Sequence, residues 1–205
     1  MKILSGSAAL ALLALTGCDS GTPQAAPTPP PAASTTASAP ATDCVMPVSF
    51  DLLPGWEADP VDVSRMTPLQ AGFLRGGAFD AVCSVDGKPA GKPGFVRVYA
   101  SDVSTGSRTD DLKAFVSAFT VRNGEALNYE VRNPKYTAAT IGGRPGAEAT
   151  WTRYDKDKKT GSDYTAFTVD TPSGPVVVLE VPYTPAEKAN VRPAYELARE
   201  TLTVG

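Results

Sequence analysis

The stretch AEATWTRYDKDKKTGSDYTAFTVDTPSGPVVVLEVPY, residues 147–183, decides the fold. Two short segments rich in turn-forming residues interrupt it: 155–161 and Pro172-Ser173-Gly174. Three strand-like runs remain, at 147–154, 164–170 and 176–183. Runs of this length joined by short turns are typical of consecutive antiparallel strands. The sequence therefore predicts a three-stranded antiparallel meander.

Patterns on the N-terminal side of the meander predict further strands. Phe79 to Val85 and Phe95 to Ala100 alternate between apolar and polar residues, and a Gly/Lys/Pro-rich loop over 86–94 joins them. Extended segments are also expected at four places with weaker patterns: Val45 to Asp51, Trp56 to Val63, Asn128 to Arg132 and Thr137 to Ile141. The segment 65–74 is ambiguous.

Two regions have the signals of helices. Leu112, Phe115, Val116 and Phe119 have helical spacing, and Thr109 is the expected N-cap. Near the C-terminus, Thr184-Pro185-Ala186-Glu187 has the spacing of a capping box. Pro193 either kinks the helix that follows or starts a second one. The expected buried stripe is Ala194, Leu197, Ala198 and Leu202. Taken together, these patterns predict an α+β domain with a central antiparallel sheet and helices packed on it.

The N-terminus has the pattern of an export signal. Lys2 precedes an apolar run over 8–15, which is far shorter than the roughly 20 residues of a membrane-spanning helix. Leu15-Thr16-Gly17-Cys18 closes the run and resembles the bacterial lipobox. That resemblance implies that residues 1–17 are a signal peptide and that Cys18 carries acyl chains such as palmitate. The alternative is an ordinary signal peptide followed by a coincidental cysteine.

Composition divides the rest of the chain into two parts. Residues 18–43 begin with Cys18 and continue as a segment rich in Pro, Ala, Ser and Thr, which cannot bury a core and is expected to be a disordered linker. This linker is either a passive spacer or a segment that carries sugars or threads cell-wall polymer. Residues 44–205 are long enough for one domain with its own core, and we expect that domain to be extracytoplasmic.

Cys44 and Cys83 are the only cysteines beside Cys18. An exported protein matures in an oxidising compartment, which favours a disulfide between them. Such a bond would hold the start of the domain to its interior. The alternative is two buried free thiols.

The chain lacks the residues of most catalytic and metal sites. It contains no histidine, so catalysis by imidazole and metal sites built on imidazole are excluded. No nucleophile, phosphate-binding or dinucleotide motif occurs, and we expect neither a cofactor nor a metal. A carboxylate pair is the remaining catalytic option, because Glu148 and Glu180 lie within predicted strands and could project from one face. Exposed positions on a solvated face have the same pattern.

The segment Phe50-Asp51-Leu52-Leu53-Pro54-Gly55-Trp56, the hairpin with its helix, the turn Ile141-Gly142-Gly143-Arg144-Pro145, the meander and the closing helix together resemble the PsbP-like fold. Actinobacterial lipoproteins of the LpqN kind are similar, with this domain behind a lipobox and a Pro/Ala/Ser/Thr linker. The resemblance covers about residues 45–204. It implies an antiparallel sheet between helices and a binding or assembly role without a shared catalytic site, so no functional residue is transferred.

We therefore expect a monomeric lipoprotein held on the outer face of the cell membrane by lipid on Cys18, acting as a non-catalytic binding or assembly factor. The net charge of −3 offers no footprint for nucleic acid. The alternatives are a carrier or sensor of a small apolar ligand and a carboxylate-based hydrolase. Five aromatic residues bear on the carrier alternative, since they either line a groove or belong to the core: Trp56, Trp151, Tyr154, Tyr164 and Phe167.

Overall fold

The computed structural model describes residues 44–122 and 125–205. Residues 1–43 lie outside the described part of the chain. The predicted signal peptide, the lipidation of Cys18 and the predicted linker over 18–43 fall within these residues, so they stay predictions.

Twelve strands and three α-helices make up the described part of the chain. They are β1 (Val48–Ser49), β2 (Glu57–Pro60), α1 (Pro68–Gly72), β3 (Arg75–Gly76), β4 (Phe79–Asp86), β5 (Phe95–Ala100), α2 (Arg108–Ser117), β6 (Val121–Arg122), β7 (Glu125–Ala126), β8 (Tyr129–Ile141), β9 (Arg144–Asp155), β10 (Thr160–Thr171), β11 (Gly174–Val181), α3 (Lys188–Thr201) and β12 (Thr203–Val204).

One antiparallel sheet organises the domain. Its strand order is β2-β4-β5-β11-β10-β9-β8, and β3 pairs with β4 at the edge. The predicted meander forms its β9-β10-β11 part, with Tyr164 opposite Trp151 and Phe167 opposite Val178. The predicted hairpin is β4 and β5. The fold class is therefore confirmed as α+β with an antiparallel sheet.

Helices cover both faces of the sheet because its central strands are apolar on both sides. On β11, Val176 and Val178 pack in one core with Val191 and Tyr195 of α3. The alternate residues of β11 belong to a second core, which contains Leu112 and other residues of α2. A near-continuous apolar run such as PVVVLEV is the expected sequence of a strand buried on both faces.

The structure differs from the sequence predictions at two strands. Most of the strand predicted at Val45 to Asp51 is irregular, and only Val48–Ser49 pairs, with Thr203–Val204 of the C-terminus. The two strands predicted over 128–141 form one strand, β8. Its pairing with β9 shifts register between Arg132 and Lys135, and both halves of β8 remain paired with β9. Pro134 is tolerated there because β8 is an edge strand.

The helix ends also differ in detail. α2 begins two residues earlier than predicted, since the hydroxyl of Ser107, and not that of Thr109, accepts from the backbone N–H of Asp110 at 3.2 Å. α3 is a single helix with Pro193 inside it. Pro193 is exposed, whereas Val191 and Ala194 beside it are buried, so packing against the sheet holds the helix together across the proline.

Two contacts fix the ends of the domain. Cys44 forms a disulfide with Cys83 of β4, with a Cα–Cα distance of 5.7 Å. Gly142 has φ of +52° and donates its N–H to the carbonyl of Arg199 at 2.9 Å. A side chain at Gly142 would collide with the carbonyl of Leu202, so the turn before β9 needs glycine to lie against the end of α3.

None of the helices in the described part of the chain is long and apolar enough to cross a membrane.

Candidate functional site

A polar layer lies between α3 and the sheet. Thr165 of β10 is opposite Thr150 of β9 and Glu180 of β11, and Phe167 is opposite Glu148. Residues that face each other across antiparallel strands lie on the same side of the sheet, as do residues two apart on one strand. Glu148 and Glu180 therefore share the face that α3 covers, which their positions in the sequence allowed.

Glu180 is the most buried charged group of this layer. Its side chain is 0% exposed, and its Oε2 lies 2.9 Å from Nη2 of Arg192. Burial raises the pKa of Glu180 above its ordinary value, while the nearby charge of Arg192 opposes the rise. Arg192 also donates to Oγ1 of Thr165 at 3.1 Å and to Oε1 of Glu196 at 3.2 Å. One guanidinium thus joins α3 to two strands.

Glu148 is held by the next turns of the same helix. The hydroxyl of Tyr195 donates to its Oε1 at 2.9 Å, and Nε of Arg199 lies 3.9 Å from the same oxygen. Burial, together with the charge of Glu148, raises the pKa of Tyr195 well above its ordinary value. The neutral hydroxyl of Tyr195 is therefore a hydrogen-bond donor at all physiological pH values.

Sequence reasoning missed the helical half of this layer. Arg192, Tyr195 and Arg199 are spaced i, i+3 and i+7, which places them on one side of a helix. The prediction for this helix covered only the apolar stripe, of which Ala194 and Ala198 are buried, and assigned no role to the arginines. The helical spacing was a usable signal.

The arrangement binds α3 to the sheet. Both carboxylates that the sequence made available for catalysis contact donors of α3. Removing one partner of a buried ion pair costs about 3–5 kcal/mol, so these contacts contribute to the position of the helix. Hydrolysis by a carboxylate pair needs one acid and one base facing a bound substrate.

A polar groove opens beside the N-terminal half of α3. Its volume is about 270 Å³. Two aromatic residues, Trp151 and Tyr164, contribute to its lining. The other lining residues are polar: Asn133, Lys135, Thr150, Thr152, Asp163, Thr165, Lys188 and Arg192. Asp163 accepts a hydrogen bond from the hydroxyl of Thr152 at 2.7 Å.

The β8 irregularity shapes this groove. Asn133 lines it and has φ of +51°, at the point where the ladder between β8 and β9 shifts its register. Such bulges re-aim side chains and are frequent beside binding sites. Lys135 follows the bulge, and neither it nor Lys188 takes part in an ion pair with any described residue. The groove therefore presents the amino groups of Lys135 and Lys188 to ligands in solution.

A second groove of about 300 Å³ is lined by Leu53, Pro54, Trp56, Ala90, Lys92, Ala189, Asn190 and Pro193. It lies at the surface, outside the packed interface of α3 and the sheet. Trp56 is only 5% exposed and belongs to the core on that side. This groove therefore gives limited support to the carrier alternative.

The other predicted aromatic residues are also used in packing. Trp151 stacks on Tyr164 with ring centroids 5.6 Å apart, and Phe167 packs 5.3 Å from Tyr195. Tyr154 is partly buried, with the guanidinium of Arg132 over its ring. Four of the five are buried, Trp56 among them, as the interpretation as core and cross-strand contacts expects. Trp56 also lines the second groove, and Trp151 and Tyr164 also line the first. Among the residues that the structure describes, no cluster of Cys, Asp and Glu is arranged to hold a metal ion.

Comparisons with known proteins agree with the fold and the N-terminal pattern. Residues 17–202 match the sequence profile of a family described as "Uncharacterised lipoprotein". No curated protein matches the chain. Among solved structures, the solution structure of cyanobacterial PsbP (CyanoP) from Synechocystis sp. PCC 6803 is similar, with a TM-score of 0.50 and 12% sequence identity. The match covers 78% of this chain and 87% of that one, and at this identity the likeness concerns the fold alone.

Proposed function

The chain belongs to the family described as uncharacterised lipoproteins, and from this membership we propose that it is a membrane-tethered binding or assembly factor of the cell envelope without catalytic activity. The family match begins at Gly17, immediately before Cys18. Lipid on Cys18 is the proposed tether, with the domain on the outer face of the membrane. Two or three acyl chains give stable anchoring, whereas a single chain gives marginal binding.

Family membership carries the proposed tether, and the engagement of Glu148 and Glu180 by α3 supports the non-catalytic part of the proposal. Tyr195 contacts one carboxylate and Arg192 the other, which supports a structural role for both glutamates in the packing of α3. What remains accessible beside them is the groove with Lys135 and Lys188. Two amino groups among threonine hydroxyls favour a polar ligand that carries negative charge.

Finer features of the proposal come from the resemblance in sequence. They are the likeness to actinobacterial lipoproteins of the LpqN kind, a monomeric state, and a Pro/Ala/Ser/Thr segment that separates Cys18 from the domain. PsbP-like proteins share a fold, and fold alone does not imply a common activity.

Crosslinking in intact cells tests the proposal. A photo-crosslinking amino acid at Thr150, which is exposed in the groove, should capture a discrete product in the full-length lipoprotein. The same amino acid at Ser117, exposed on α2 beyond the opposite face, is the matched control. The double variant Lys135→Glu/Lys188→Glu should remove the Thr150 product at equal expression. Absence of a product at Thr150, or the same product from both positions, would contradict the proposal.

A further inference from the structure

One edge of the sheet ends on a long strand without a neighbour. β8 pairs with β9 on one side, and no described strand pairs with its other side. With 13 residues, β8 is the longest of the described strands. An edge strand presents unpaired backbone N–H and C=O groups, to which another extended chain can bind. The outer side of β8 is therefore a large surface of this kind.

The two halves of β8 differ in how well they are protected from such pairing. Natural edge strands are blocked by charged side chains, prolines and bulges. The first half of β8 contains all three, namely Glu130 and Arg132, Pro134, and the register shift between Arg132 and Lys135. Residues 136–141 contain none of them, since they read Tyr-Thr-Ala-Ala-Thr-Ile. We call residues 136–141 the open edge.

The opposite edge of the sheet is protected along its whole length. It consists of two short strands, β2 with four residues and β3 with two. β2 contains Glu57, Asp59 and Pro60, and β3 contains Arg75. Of the two described edges of this sheet, only the open edge combines regular pairing geometry with a lack of protecting residues.

The turn before β9 determines which backbone groups of the open edge face outward. Residues 142–143 have φ of +52° and +75°, which makes a two-residue turn between Ile141 and Arg144. The residues that flank such a turn are hydrogen-bonded to each other, and hydrogen-bonded and non-hydrogen-bonded pairs alternate along an antiparallel ladder. Three residues of the open edge therefore direct their N–H and C=O groups away from β9: Tyr136, Ala138 and Thr140.

These outward groups are accessible. Over residues 44–122 and 125–205, no backbone–backbone hydrogen bond outside the ladder with β9 reaches the open edge. Thr137, Ala138 and Thr140 are exposed, whereas Ile141 is buried in the core under α3 and holds the strand in place. An open concavity of about 460 Å³ borders the edge and is lined by Arg108 and by residues 138–140 and 143–146. Side chains of a bound segment therefore have room beside the open edge.

Exposed cations lie at both ends of the open edge. Lys135 precedes it, and Arg144 lies opposite Ile141 on β9. Neither cation forms an ion pair with any described residue. Lys135 and Ile141 are six residues apart, about 20 Å along a strand, so Lys135 and Arg144 lie on the same face of the sheet. An extended segment with two carboxylates six residues apart matches both cations.

The same charges disfavour pairing with a second copy of this chain. Two open edges that pair antiparallel about a two-fold axis at Ala138 bring Lys135 of one copy opposite Ile141 of the other. Arg144 lies one strand beyond Ile141 on the same face, so the two cations approach to about 10 Å, and the symmetry repeats the approach. Like charges that face each other oppose association, so the charges favour an acidic partner.

We propose that the open edge binds an extended acidic segment of a partner protein, which adds a strand beside β8 and places two carboxylates, six residues apart, against Lys135 and Arg144. Backbone hydrogen bonds to residues 136–141 provide the affinity, and the two carboxylates set the register. Lys135 also lines the polar groove, so the two surfaces are continuous. The inference rests on the proposed binding or assembly role and names the kind of partner.

Peptide titration followed by NMR of the full-length lipoprotein in detergent tests this contact. The probe is a nine-residue peptide of Thr and Val with Glu at its second and eighth positions. The control peptide has the same composition with Glu at its second and seventh positions, which lie on opposite faces of a strand. At about 1 mM probe, we expect amide hydrogen exchange at Ala138 and Thr140 to slow about tenfold. The probe should bind about threefold more tightly than the control peptide, as expected for an additional exposed ion pair.

Two pairs of variants separate backbone pairing from charge. Ala138→Pro removes an outward N–H where an edge strand tolerates proline, and should weaken binding of the probe about tenfold. Ala138→Thr keeps the N–H and should bind within about twofold of the wild type. Arg144→Glu should remove the preference for the probe over the control peptide, whereas Lys156→Glu, in the exposed turn that follows β9, should retain it. Because Arg144 is exposed, its variant tests the contact even if circular dichroism shows that Ala138→Pro does not fold.

Several outcomes would overturn the proposal. Unchanged exchange at Ala138 and Thr140 with the probe present is one, and equal affinity of folded Ala138→Pro and Ala138→Thr is another. Slow exchange at these amides in the free protein that depends on protein concentration would assign the open edge to a second copy. Slow exchange that is lost when residues 22–40 are deleted would assign it to the N-terminal segment of the same chain.

The crosslinking experiment at Thr150 distinguishes this proposal from the binding role on which it rests. A discrete product at Thr150 together with unchanged exchange at Ala138 and Thr140 means that the binding role stands and the strand contact is wrong. Protection by the probe without a product at Thr150 contradicts the proposed use of the groove, while the strand contact stands. Failure of both experiments overturns both proposals.

Discussion

Replacing Arg192 with methionine should destabilise the domain far more than replacing an arginine of similar geometry at the surface. Arg192→Met keeps much of the side-chain volume but leaves the carboxylate of Glu180, which is 0% exposed, without its cation. Breaking a buried pair in this way costs about 3–5 kcal/mol. Because the side chain of Arg192 is 35% exposed and solvent screens part of its charge, we expect a loss of about 2–3 kcal/mol.

The loss should depend on pH in a defined direction. Burial already raises the pKa of Glu180, and removing Arg192 raises it further. A group whose pKa is higher in the folded state contributes full stability below its unfolded pKa, near 4.5, and that contribution is lost as pH rises through the folded value. Arg192→Met should therefore cost little at pH 4 and progressively more as the pH rises towards neutrality.

Urea denaturation of the full chain between pH 4 and pH 8 measures both effects. A loss of 2–3 kcal/mol corresponds to about 5–10 °C in melting temperature for a domain of this size. Arg65→Met is the matched control, because Arg65 also lies 2.9 Å from an aspartate but is 87% exposed, and we expect no measurable change there. If Arg192→Met cost no more than Arg65→Met, or cost the same at every pH, the assigned role of Glu180 would be wrong.

Three further predictions concern Tyr195, the disulfide between Cys44 and Cys83, and the lipid on Cys18. Tyr195→Phe removes the hydrogen bond to Glu148 and should cost about 1 kcal/mol in urea denaturation; because the pKa of Tyr195 is higher in the folded state, the wild type should lose stability as pH rises above 10 and the variant should lose less. Replacing Cys44 and Cys83 with alanine opens a loop of sequence separation 39 and should lower the free energy of unfolding by about 4 kcal/mol, whereas a change below 1 kcal/mol would mean that the bond constrains little. Cys18→Ser should remove the acyl mass and the stable membrane association while the circular dichroism of the domain stays unchanged; undiminished membrane binding would contradict the tether.

Local pattern was sufficient for the elements whose partners lie nearby in the chain. The meander over 147–183 and the hairpin of β4 and β5 were predicted because alternation and turn residues specify each strand and its neighbour together. The length of β1 was overestimated. Its partner, β12, lies at the other end of the chain, and no local pattern indicates how few residues of β1 it pairs with.

The strand residues of the candidate site could be found from local pattern, but their partners on α3 could not. Alternation within strands allowed Glu148 and Glu180 to lie on one face, and the strand register places them there. Whether those carboxylates were exposed, catalytic or paired depended on what covered them, and a strand pattern contains no information about a helix that follows it. The identity of Arg192 and Tyr195 as their partners came only from the packing of α3.

The amino-acid sequence by itself determined the fold class, the meander of β9, β10 and β11, the hairpin of β4 and β5, and the residues available for chemistry, since these depend on side-chain periodicity and on which residue types are present. It also indicated a lipoprotein through Leu15-Thr16-Gly17-Cys18, in agreement with the family. Only the tertiary structure decided how Glu180 is used. The physical reason is that burial and ion pairing depend on which elements pack together, and here α3 packs over the face of the sheet that carries Glu180.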